Sequence, residues 1–106
     1  MIARTWHGAV PLEKADEYHD YLSRTGVTDC RSTSGNLGVQ VLRRIEGNQA
    51  RFLFISFWRS VDDIRAFAGD QIEVARYYPE DHEYLLELEP LVTHYEVLTS
   101  IDTDAA

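Results

Sequence analysis

A chain with one cysteine cannot build an internal disulfide, and Cys30 is the only cysteine among these 106 residues. No covalent staple therefore supports the fold. Lysine is as scarce: Lys14 stands alone, the arginines are scattered, and the net charge is −8. Nucleic-acid binding draws on clustered cations, so this balance argues against such a partner. No apolar run approaches the ~20 residues of a membrane-spanning helix. The opening MIARTWHGAV lacks the basic head and long apolar stretch of a secretion signal. No Gly-rich phosphate loop, nucleophile elbow or cysteine cluster is present either. Together these absences predict a cytoplasmic protein without a membrane partner. The missing Gly-rich loop leaves no nucleotide-type cofactor site, and no cofactor is expected.

What is present suits a small globular domain. Hydrophobic residues make up 44% and aromatics 11%, enough for a dense core in a chain near the lower end of domain size. We expect one domain over residues 1–100 and a flexible tail over 101–106. The densest charge, PEDHEYLLELEP (79–90), is acidic and reads as a solvated helix face.

The most informative stretch is RFLFISFWRS, residues 51–60. From Phe52 to Trp58 only Ser56 interrupts the apolar run, whereas a strand with one wet face alternates. Around it the elements fall in order. Residues 2–10 read as a strand with Ile2, Arg4 and Trp6 on one face and Ala3, Thr5, His7 and Ala9 on the other. Pro11 suits a helix start. Leu12, Ala15, Tyr18 and Leu22 then recur at helical spacing, and Gly26 reads as the stop. Residues 27–36 are turn formers. A strand over 37–46, the pair Gly47-Asn48 and the 51–60 strand read as a hairpin. Ser60 with Asp63 is a capping signature for a helix ending near Gly69. Further helical pieces are expected over 70–78 and 80–88, and a last strand over 91–99.

The order β-α-β-β-α-β is that of a ferredoxin-like α+β fold, an antiparallel four-stranded sheet with helices on one face. Helices cover one side of residues 52–58, and nothing else in the chain covers the other. Such a face is a large exposed apolar patch, and a second copy of the chain is its simplest cover. The expectation is a homodimer, sheet against sheet.

With that architecture, the junction FWRSVDDIRAF, the short acidic helix and the strand VTHYEVL resemble the antibiotic biosynthesis monooxygenase branch of the dimeric α+β barrel superfamily. The resemblance runs over about residues 2–99 and implies a dimeric barrel. For activity it implies a cofactor-independent monooxygenase acting on an aromatic or polyketide-like small molecule. The alternative is a non-catalytic ligand-binding or structural homodimer, and haem degradation is a more remote reading. In the cofactor-free oxygenases an Asn precedes the strand-end Trp by four residues and a Tyr follows it by six. Here the Trp is Trp58, while those positions hold Phe54 and Ile64. In the haem-degrading members the site is an Asn, an aromatic and a His, and the corresponding residues here are His7, Phe67 and Tyr77.

The resemblance assigns the Thr5 face of the first strand to the pocket, which makes His7 the candidate catalytic base. Thr5, Phe54, Trp58, Phe67, Tyr77 and Tyr78 are the candidate substrate-binding residues, each with a packing role as the competing reading. His94, on a strand that pairs with the first, is a possible neighbour of His7. Two histidines make a weak case for a metal, which needs three or four converging ligands.

Overall fold

The computed structural model describes residues 1–101, so the tail expected over 101–106 lies almost wholly outside the described residues. Four strands form one antiparallel sheet: β1 (Ile2–Pro11), β2 (Asn36–Glu46), β3 (Gln49–Trp58) and β4 (Thr93–Glu96). Their spatial order is β2-β3-β1-β4, the ferredoxin-like arrangement. The longest strand and its partner are joined by the expected tight turn, where Gly47 takes φ 60°, a conformation glycine adopts freely. At the opposite edge β4 holds only four residues, shorter than the sequence suggests, and Val97 N donates to Met1 O at 3.0 Å.

The helical layer consists of a 3-10 turn (Leu12–Lys14), α1 (Ala15–Leu22), a π-helical turn (Ser23–Val27), α2 (Thr28–Ser32), α3 (Val61–Ala68) and a single turn, α4 (Asp81–Tyr84). α3 starts as its capping signature predicts, with Asp63 N donating to Ser60 Oγ at 3.2 Å. Two expectations fail. Gly26 does not stop the first helix, and residues 27–36 are not simply a loop. The chain widens by one residue into the π turn, where Thr28 Oγ1 donates back to Ser23 O at 2.7 Å, and then winds on to Ser32. Side-chain hydroxyls that bond preceding carbonyls distort a helix in this way. Gly26 is buried there against the Phe54 ring, which a Cβ would meet at 3.3 Å.

The second correction concerns residues 69–92. Neither 70–78 nor 80–88 is a helix beyond α4; the segment crosses the sheet in irregular form, tied by a bridge between Val74 and Leu91. Pro79 and Pro90 account for part of this, since each removes a backbone donor. No helix among the described residues is long and apolar enough to cross a membrane.

The register fixes which side chains share a face. Trp6 stands opposite Phe54 and Arg4 opposite Ser56, so even-numbered residues of β1 and β3 point to the helices. Phe52, Phe54, Ser56 and Trp58 are all buried there, with Val10 and Ala50. Ser56, the one polar residue in the run, accepts a hydrogen bond from Trp58 Nε1 at 2.8 Å. The odd-numbered side, with Leu53, Ile55 and Phe57, carries no layer of the chain.

Candidate functional site

Between the sheet and the irregular segment lies a narrow aromatic pocket. β1 contributes Arg4 and Trp6, β3 contributes Phe54, and α3 contributes Phe67. Helix α1 adds Tyr18 and Leu22, the π turn Thr25 and Gly26, and the crossing segment Arg76, Tyr77, Tyr78 and Asp81.

The aromatic groups are held by hydrogen bonds. Trp6 Nε1 donates to Tyr77 Oη at 3.1 Å, and that hydroxyl in turn donates to Glu89 O. Trp6 lies flat along its own strand because residue 8 is glycine: a Cβ there would sit 2.5 Å from the indole Cη2. Tyr78 Oη donates to Asp29 Oδ2 at 2.7 Å. Burial and that hydrogen bond raise the Tyr78 phenol above its usual range.

At one end sits an acid. Asp81 is only 4% exposed. Its Oδ1 accepts from Tyr18 Oη at 3.2 Å and its Oδ2 from Tyr78 N at 2.6 Å. Burial raises its carboxyl above the usual carboxylate value, against the opposing pull of those two hydrogen bonds and of His82. The lining also holds two cations, with Arg4 Cζ 5.6 Å and Arg76 Cζ 4.8 Å from the centre of the same Phe67 ring.

The sequence-derived candidates divide. Phe54, Phe67, Tyr77 and Tyr78 line this pocket. Trp58 does not; it is fully buried behind Phe67, with ring centres 5.7 Å apart. Ile64 is likewise fully buried core. His7 and Thr5 lie on the other face of the sheet, a correction that follows directly from the register. His7 is exposed opposite Leu53, and Thr5 Oγ1 donates to Thr93 O at 3.1 Å on the neighbouring strand. Nor are His7 and His94 adjacent: His94 stands opposite Arg4 and shares the helix-side face. Burial, with Arg4 nearby, lowers the His94 pKa below its usual value.

Several site residues were not anticipated: Arg4, Trp6, Tyr18, Arg76 and Asp81. Asp81 is the clearest correction, because its run reads as a solvated acidic face while this one carboxylate turns inward. The signal for it was Pro79 two residues ahead, which breaks the helix that would have kept it in water. Cys30 is fully buried beside this cluster, and desolvation pushes its thiol up to about 11, which leaves it unreactive. Among the described residues no three His, Cys, Asp or Glu side chains converge as metal ligands would.

The profile of the antibiotic biosynthesis monooxygenase family matches residues 7–72. The chain belongs to that family. Solved structures show the same fold at low identity. The haem degrader MhuD of Mycobacterium tuberculosis, with two haems bound in its active site, gives a TM-score of 0.64 at 18% identity over 96% of this chain and 100% of that one. A Bacillus cereus protein named for antibiotic biosynthesis monooxygenase gives 0.66 at 14% identity, over 99% and 98%. A further M. tuberculosis protein gives 0.53 at 16%, over 98% of each chain. At such identities the likeness speaks for the fold alone. No curated protein matches the chain.

Proposed function

We propose that this chain is a cofactor-independent monooxygenase that oxidises a small aromatic molecule with an acidic C–H or O–H, and that Asp81 is its base. Family membership supports monooxygenase-like or small-molecule-binding chemistry. The observation that carries the finer reading is the buried Asp81 carboxyl at the end of an aromatic pocket. A carboxylate short of solvent is a stronger base than one in water. Tyr18 holds it in place through the hydrogen bond to Oδ1.

The chemistry balances with O₂ as co-reactant. Asp81 takes a proton from a ring CH₂ activated by an adjacent aromatic ketone, leaving a carbanion. That anion passes one electron to O₂, and the radical pair combines to form a C–O bond. The peroxide takes a proton back from Asp81. Loss of water across the C–OOH group, with removal of the remaining C–H proton, leaves a carbonyl. The net change is CH₂ plus O₂ to C=O plus H₂O. The aromatic walls stack the substrate, and the tightness of the pocket keeps water from the anion.

Porphyrin fits these residues poorly. Tyr77 would be the ligand in the position of the haem degraders' His, but its hydroxyl is already engaged by Trp6 and Glu89.

We infer also that a second copy covers the open sheet face. Leu53, Ile55 and Phe57 on β3, Leu42 on β2 and Tyr95 on β4 share that side by register, and Tyr95 is 58% exposed. A monomer in sedimentation at low micromolar concentration would remove this part of the reading.

Oxygen uptake with a panel of anthrones and hydroquinones tests the activity. Turnover that survives in wild type and is lost in Asp81→Asn supports it. Tight binding without oxygen uptake across the panel would point instead to a non-catalytic binding dimer. That reading draws on Phe54 and Ile64, which stand where the cofactor-free oxygenases carry Asn and Tyr.

A further inference from the structure

Arg4 is an unusual residue to find in the middle of a sheet. It is 6% exposed, and its guanidinium donates from Nη2 to Val74 O at 3.0 Å and to Ile72 O at 3.4 Å. Neither partner is charged, and its Nε has no partner at all. The six ion pairs among the described residues do not include it. Burying a cation without an anion is costly, and here the cost is increased by a second cation. Arg76 stacks on the same Phe67 ring, and its own carboxylate partner, Asp29, is 3.3 Å away, half-exposed and shared with Tyr78 Oη. Burial first, and Arg76 as well, lower the pKa of Arg4, while Cys30 and Tyr78 oppose the shift. In a chain of net charge −8, two arginines converge on a pocket wall, and the carboxylate of Asp29 pairs with Arg76 but not with Arg4.

We propose that this wall of the pocket is an anion subsite, and that the substrate is a small aromatic carboxylate whose carboxylate pairs with Arg4 and Arg76. The inference rests on the aromatic-substrate reading above and names its chemical class. Guanidinium forks match a planar carboxylate, and the orphaned Arg4 Nε supplies a donor that no protein group uses. The Asp81 carboxylate lines the same pocket. A bound ring would thus be oriented, with its anionic substituent at the arginines and its acidic C–H or O–H toward Asp81.

Calorimetric titration without oxygen tests the subsite apart from any turnover, using 2-naphthoate and 1-hydroxy-2-naphthoate against the neutral 2-naphthamide. The acids should bind roughly 10–100-fold more tightly than the amide, the range expected for a charge-assisted hydrogen bond of about 1.5–3 kcal/mol. Arg76→Gln, at a half-exposed position that should still fold, should remove most of that preference, read as the ratio of acid to amide affinity. Arg4→Lys keeps the charge but loses the fork, and should weaken the acids more than the amide. Equal affinity for acid and amide, failure of the acids to bind, or a preference untouched by Arg76→Gln would each overturn the proposal. Acid binding with no oxygen uptake from any substrate would keep the subsite and remove the oxygenase reading; uptake with no acid preference would do the reverse.

Discussion

The two faces of the sheet are built from the same strands and differ in almost everything else. On the helix side β3 presents Phe52, Phe54, Ser56 and Trp58, none more than 9% exposed, beside Arg4 and Trp6 of β1 and against a layer that brings in Asp81 and the tyrosines. On the open side the same strand presents Leu53, Ile55 and Phe57, and β1 presents the small or polar Ala3, Thr5, His7 and Ala9. The first face is apolar yet carries several buried polar groups, two of them with an unpartnered nitrogen, while the second is apolar with few. A pocket that does chemistry needs charged groups positioned by a rigid frame; an interface between copies needs matching area. On the proposed reading one side makes a site and the other takes a second copy, which would make a strand with no polar face economical in a chain this short.

The sharpest way to break the comparison is to remove the acid on the covered face. Asp81→Asn should slow turnover by about 10²–10⁴-fold, the usual loss of a general base, with the far-ultraviolet spectrum unchanged. His7→Ala, on the open face, should leave turnover within about threefold of wild type; a loss comparable to that of Asp81→Asn would put the chemistry on the wrong side of the sheet. Trp58→Ala should cost roughly 3–5 kcal/mol in denaturant unfolding, because it empties a fully buried site and leaves Ser56 Oγ without its donor. Ile55→Arg on the open side should leave the protomer folded but shift it to monomer in sedimentation. An unchanged assembly would mean that a different surface joins the copies, or none does.

The smallest expected effect concerns His94. Its imidazole is held below the usual value near 6.5 by burial and then by Arg4, and its Nε2 is buried without a partner. The unfolded chain therefore takes up this proton before the folded one does. Stability from this group is full above about pH 6.5 and is lost as pH falls below that toward the folded value. Melting temperature against pH should dip on the acid side in wild type. His94→Gln should flatten the dip by a few degrees; an identical profile would show that the imidazole titrates as it would in water.

Much of the architecture was legible because local chemistry and global order agreed. Gly47-Asn48 demanded a tight hairpin, Ser60 and Asp63 a helix start, and the alternation of element types left one arrangement. The site was harder, for a reason that lies in residues 52–58. Both sides of that strand are apolar, so no polar residue told which parity met the helices, and the parity of β1 could not be anchored to it. Trp6 and Gly8 carried the missing information: a large ring beside a residue with no side chain belongs on the packed face. The π turn was illegible for another reason. Its sequence, SRTGV, holds a glycine that ordinarily ends a helix, and only the Phe54 ring packed against it shows why it does not. Asp81 was hidden among acids that do face water.

The contact between Met1 and Val97 carries a consequence for synthesis. β1 is a central strand, but its outer neighbour β4 leaves the ribosome more than eighty residues later. Until then one edge of β1 stays unpaired, and the crossing segment that brings Arg76 and Asp81 has no Leu91 to bridge to. The hairpin of β2 and β3 can form early, since its contacts are local, whereas β1 with β4 must wait for ends far apart in the chain. The nascent domain should therefore gain its hydrophobic layer before its binding pocket, and be most exposed to edge-to-edge association in that interval.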